Sequence, residues 1–111
     1  MKLLLRLVIS TLAILVAANV VPGVFVASTT TAIIVAVVLG ILNTFLKPVL
    51  QILALPITIL TLGLFYFVVN VFIIYLATFL VDGFAISGFI SALLFGLVVS
   101  IVSAILGMFL D

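Results

Sequence analysis

The chain has 111 residues, 70% of them apolar, and its mean hydropathy is +1.94. Its charged side chains are Lys2, Arg6, Lys47, Asp82 and Asp111, too few to cover a water-soluble domain, so a soluble monomer is excluded and a bilayer is the natural solvent. Cys and His are absent, which removes disulfides, thiol chemistry and the usual transition-metal ligands, and a net charge of +1 offers no footprint for nucleic acid.

A helix needs about 17–25 apolar residues to cross the hydrocarbon core, and four stretches qualify. The first runs from about Leu3 to Val21. Its Lys2, Arg6 and Val16-Ala17-Ala18 resemble the parts of a signal peptide; we read the segment as a retained span. Arg6 lies near its end and can snorkel to the headgroups. Pro22-Gly23 marks the turn that follows. The second span runs from about Ser28 to Leu46 and is followed by the breaker Lys47-Pro48.

Residues 47–63, KPVLQILALPITILTLG, are mostly apolar yet too short to cross and return as two full helices. One reading is a short interfacial or re-entrant half-helix broken at Pro56. The other is a long third span that starts near Ile57 and bends at Gly63. The first is preferred. The third span then runs from about Leu64 to Val81, Asp82-Gly83 turns the chain, and the fourth runs from about Gly88 to Leu110. No segment alternates polar and apolar residues as a barrel strand would. The expected fold class is all-α integral membrane, with four transmembrane helices in one membrane domain over residues 1–111.

Shifting the sequence by 60 residues aligns its halves without a gap, with 10 identities among the 44 positions 3–46. A hydrophobic background gives about half that by composition. Small residues share the period. The second span carries Ser28, Ala32, Ala36, Gly40 and Thr44, and the fourth carries Gly88, Ala92, Gly96, Ser100 and Ala104. Residues four apart share a helix face, and small ones let two backbones approach closely. Ala32, Ala36, Gly40, Ala92, Gly96 and Ser100 are therefore the expected helix-packing positions, within one chain or between subunits. The fold reads as two parallel-repeat helical hairpins, repeat 1 over about 3–46 and repeat 2 over about 64–110, with the 47–63 segment between them.

Basic residues favour the cytoplasmic side. With four spans, Lys2, Arg6 and Lys47 share one side if both termini are cytoplasmic, and the outer loops Pro22–Ala27 and Asp82–Ser87 carry no Lys or Arg. Asn19, Asn43 and Asn70 are the strongest polar groups within the spans; each should face another helix or water, and Asn43 and Asn70 are candidates to hydrogen-bond each other. The aromatics Phe65, Tyr66, Phe67 and Tyr75 are expected toward lipid or its interface. No buried carboxylate or histidine is available for a proton relay. No His serves a hydroxyl nucleophile, two isolated acids cannot act as a pair, and no Gly-rich phosphate loop is present. An enzyme is not expected, and no catalytic residue, cofactor or metal is assigned.

Three strings carry a family resemblance: Asn43-Thr44-Phe45-Leu46-Lys47-Pro48, then Leu55-Pro56-Ile57-Thr58-Ile59-Leu60-Thr61-Leu62-Gly63-Leu64-Phe65, then Val69-Asn70. Together with Gly83-Phe84 and Gly88-Phe89 they resemble the phage holin superfamily IV, or YvlD-like, family of small bacterial membrane proteins. The resemblance covers nearly the whole chain. It implies a four-span protein of the bacterial inner membrane, with Asn43, Lys47, Pro48, Pro56, Thr61, Gly63 and Asn70 as the matching motif positions. It brings no catalytic assignment. Physically, Pro48 is expected to stop the second span, Lys47 to anchor it in the headgroups, Pro56 to break the embedded segment and Gly63 to permit a bend.

Three functions compete. A structural or accessory protein that homo-oligomerises or joins a larger membrane complex suits the small-residue stripes and the lack of chemistry. A holin-type pore suits the family resemblance, although Asn, Ser and Thr alone line a channel poorly. A small dimeric transporter lacks buried charge.

Overall fold

Pro22-Gly23 and Asp82-Gly83 each end a long helix and lead into a three-residue strand. The computed structural model describes residues 2–110; Asp111 lies outside them. In chain order the elements are α1 (Lys2–Val20), β1 (Val24–Val26), α2 (Thr29–Ile41), a π-helical turn (Leu42–Leu46), α3 (Lys47–Leu53), α4 (Leu55–Leu60), α5 (Phe65–Leu80), β2 (Phe84–Ile86) and α6 (Phe89–Leu110). The molecule is mostly helical. Three helical stretches are long and apolar enough to cross a membrane, Lys2–Val20, Thr29–Leu53 and Phe89–Phe109, and Phe65–Leu80 is a shorter apolar helix.

The strands depart from an all-α expectation. β1 and β2 pair antiparallel, with Val24 opposite Ile86, Phe25 opposite Ala85 and Val26 opposite Phe84. The Ala27 N–H donates to the Gly83 carbonyl at 2.9 Å, and the Ser87 N–H donates to the Gly23 carbonyl at 2.8 Å. Gly23 and Gly83 both sit at φ +87°, in the left-handed region that glycine enters without a Cβ penalty. Two apolar loops side by side must satisfy their backbone groups, and pairing with each other does so. Every partner in this ribbon exchanges with the other under a shift of 60 residues.

The second departure is at Pro48. The chain stays helical through it to Leu53, so the Lys47-Pro48 pair does not stop the helix. Proline removes a donor and crowds the preceding turn. Here that turn is widened: the Lys47 N–H bonds the Leu42 carbonyl, five residues back, in place of the usual four. Thr44 Oγ1 also donates to the Gly40 carbonyl at 2.7 Å, a back-bond that bends helices. Pro48 is then the second residue of α3, where a missing N–H is tolerated.

Pro56 likewise begins a helix rather than breaking one. It is the second residue of α4, and the break falls at Ala54 (φ −89°, ψ 0°). The 47–63 segment is therefore two short helices and a turn. α4 closes with the Gly63 N–H on the Thr58 carbonyl at 2.8 Å and the Leu62 N–H on the Ile59 carbonyl at 3.1 Å. This is a Schellman closure, which needs a left-handed residue after the helix. Leu62 fills that place at φ +57° and Gly63 follows at +92°.

The core joins α1, α2, α5 and α6 in the half of the molecule nearest the ribbon. Ala13, Ala17, Ala32, Val35, Ile73, Ala77, Ala92 and Phe95 have no exposed surface. Alanine at these helix crossings permits close backbone approach. Phe84, from β2, is buried and stacks its ring at a tilt on Phe95, centroids 5.5 Å apart. Ser28 caps α2, its hydroxyl accepting from the Thr31 N–H at 3.2 Å.

Candidate functional site

Polar residues gather in the half away from the ribbon. Lys47 and Gln51 lie one turn apart on α3, Tyr66 and Asn70 one turn apart on α5, and Gly96 and Ser100 one turn apart on α6. Residues four apart lie on one helical face, so each helix presents two of these residues to a common space. Together with Phe67, Leu93 and Leu97 they line a cleft of about 210 Å³.

One contact organises it. The Lys47 Nζ donates to Asn70 Oδ1 at 3.1 Å, bridging α3 and α5. Lys47 is half-buried, so it is more than an anchor lying in the headgroups. The expected Asn43–Asn70 pair does not form. Asn43 is exposed in the π turn, and Asn70 takes Lys47 as its partner. A charged donor makes the stronger bond to an amide oxygen, which accounts for the choice. Gly96 provides the space on the third side. A Cβ there would stand 2.5 Å from Asn70 Nδ2 and 3.2 Å from Ile74 Cδ1.

The remaining motif positions lie outside the cleft. Pro48 and Pro56 are exposed at the starts of α3 and α4. Thr61 donates to the Ile57 carbonyl at 3.0 Å and accepts from the Phe65 N–H at 3.2 Å, so it supports the first turn of α5. Gly63 lies in the turn between them. Asn19 bonds the carbonyl of Leu15 in its own helix at 2.8 Å and, among the described residues, hydrogen-bonds to no other helix.

The small-residue positions divide. Ala32, Ala36, Ala92 and Gly96 are buried. Gly40 and Ser100 are exposed, and a Cβ on Gly40 would meet nothing within 4 Å. Of the aromatics, Tyr66 and Phe67 line the cleft half-exposed, whereas Tyr75 packs against the core. Gln51 was not singled out by sequence, and Tyr66 only as an aromatic expected toward lipid or its interface; their spacing from Lys47 and Asn70 was the available sign.

The chain matches, over residues 1–105, the family of mycobacterial phage holins with four transmembrane segments, superfamily IV. It is 46% identical over 86 residues to the uncharacterized protein SCO3922 of Streptomyces coelicolor, covering 74% of this chain and 69% of that one. It is 34% identical over 101 residues to the uncharacterized membrane protein YvlD of Bacillus subtilis, covering 90% of this chain and 85% of that one. No solved structure matches it. Neither the family description nor the relatives' names indicate an enzyme.

Proposed function

This chain belongs to the four-span phage holin superfamily IV family, and on that premise we propose that it is a structural or accessory subunit of the bacterial inner membrane that oligomerises or joins a larger membrane complex. The observation that carries the reading is the divided stripe. Ala32, Ala36, Ala92 and Gly96 are consumed by packing inside the chain, while Gly40, Thr44, Ser100 and Ala104 continue the same four-residue spacing with exposed surface. Small residues in that pattern suit a second helix from another chain.

The proposed arrangement is two parallel-repeat hairpins with both termini cytoplasmic. The self-matching register of β1 and β2 supports the repeat. Lys2, Arg6 and Lys47 all lie away from the ribbon, with Asp82 beside it, which supports the orientation. Gentle detergent extraction followed by mass measurement tests the assembly. A particle well above the 11.8 kDa chain is expected, and a lone monomer without partners counts against the proposal.

The family description also favours a second reading, a holin-type pore. Its wettable lining would have to come from Asn, Ser, Thr and the Lys47 cleft. Induced expression with a membrane-potential dye separates the two: the pore reading requires depolarisation, the accessory reading an unchanged potential.

A further inference from the structure

We propose that the cleft among α3, α5 and α6 binds a phosphate group, held by Lys47. The argument begins with unmatched charge. A lysine ammonium has three donors and no acceptor, and among the described residues Asn70 Oδ1 is its hydrogen-bonding partner. Two donors remain for a ligand. Among the described residues no carboxylate lines the cleft, and Asp82, the acid among them, lies beside the ribbon at the opposite end. A half-buried cation suits an anionic partner, and the described chain places none there.

The neighbours suit an oxyanion. The Gln51 amide, the Tyr66 hydroxyl and the Ser100 hydroxyl share the lining with Lys47 and can all donate. The cleft, about 210 Å³, has room for several waters at about 30 Å³ each or for one polar headgroup. Depth selects phosphate among anions. Lys47 is 18 residues past Thr29 along one continuous helix, about 27 Å at 1.5 Å per residue. That is close to the ~30 Å hydrocarbon thickness, and it brings Lys47 to the level where the phosphates of anionic lipids lie. Phe67 and Leu97 lie on the lining 44% and 40% exposed, an apolar rim that suits the chains of a lipid. A soluble phosphoester has the same recognised group, and the experiment separates these sources.

The full chain in mild detergent is titrated with phosphatidylglycerol or phosphatidylcholine and read by native mass spectrometry. In a parallel arm, inorganic phosphate is read by its phosphorus NMR line width. The expected result is a phosphatidylglycerol adduct that phosphatidylcholine does not match, weakened about tenfold by Lys47→Gln and kept by Lys47→Arg. Leu97→Trp, at an exposed position on the lining and off the small-residue stripe, crowds the cleft with Lys47 intact and should weaken the adduct as much, so a folding defect in Lys47→Gln does not decide the outcome. Phosphate broadening lost in both variants, without a lipid adduct, would support the same site with a soluble ligand. The proposal is overturned if the wild-type chain binds neither probe, if Leu97→Trp binds as wild type, or if only Lys2→Gln or Arg6→Gln removes the adduct.

Discussion

Lys47 and Asn70, 23 residues apart in sequence, join α3 to α5 through a hydrogen bond of 3.1 Å. The bond spans the whole α4 detour, so it ties the segment after the π turn to the start of the next long helix. Asn70→Leu leaves the ammonium without its acceptor and should lower stability by about 1–3 kcal/mol. Lys47→Met should cost less, because it removes the charge along with the bond. The double variant should then be more stable than the sum of the two predicts, in thermal unfolding in detergent. Strict additivity would mean that the two side chains do not act together.

Gly40 and Gly96 both lie on small-residue stripes but should respond oppositely. Gly96→Ala puts a methyl 2.5 Å from the Asn70 amide nitrogen, an overlap expected to cost about 1–3 kcal/mol. Gly40→Ala meets nothing within 4 Å and should be neutral or stabilise the helix by up to about 1 kcal/mol. Gly40→Leu separates packing from assembly. It should leave the monomer's thermal stability near wild type while shrinking the extracted particle. Unchanged particle size in that variant would remove the divided stripe as an interface.

The turn after α4 holds a leucine where glycine is usual. Leu62 is in the left-handed region at φ +57° and is 94% exposed, so its side chain packs little inside the chain. Leu62→Gly should raise stability by about 1 kcal/mol through relief of that backbone. Gly63→Ala, at φ +92°, should lower it by a similar amount for the same reason. A destabilised Leu62→Gly would mean that the exposed leucine is held by something outside the chain.

The ribbon provides a test of both register and orientation. Phe25 and Ala85 face each other across it, and the chain has no native cysteine. Phe25→Cys with Ala85→Cys places two thiols on directly opposed residues, within disulfide reach. The pair should oxidise to a single intrachain bond that shifts gel mobility. In intact cells a membrane-impermeant maleimide should label Phe25→Cys, while Leu62→Cys should be labelled only after permeabilisation. The reverse pattern would invert the proposed topology.

Much of this architecture could be read from the chain because it rests on local physics. The runs of apolar residues and the Pro22-Gly23 and Asp82-Gly83 turns place α1, α5 and α6 within one residue of their observed ends. The misread features are those decided by neighbours. Pro48 carries the local chemistry of a helix stop, yet one turn with a five-residue bond absorbs it. Val24–Val26 and Phe84–Ile86 are too short to read as strands alone; each is a strand only because the other lies beside it. Asn70 was visible as a polar residue that needed a partner, but the π turn leaves Asn43 exposed, and the lysine one turn further on took the contact. The cleft itself required three helices to meet, which spacing on any one of them does not reveal.

The ribbon also makes completion of the fold depend on the order of synthesis. β1 leaves the ribosome with its pairing edge bare, and the complementary edge follows 60 residues later. Domains form from the N-terminus as the chain emerges, so α1, β1 and α2 must wait with a strand whose partner in the same chain has not yet been made. During that interval the same edge on a neighbouring nascent chain offers an equivalent match, because the two strands are interchangeable in register. Crowded synthesis should therefore favour exchanged strands between chains, with a dimer that forms at birth and persists because undoing it means opening both ribbons.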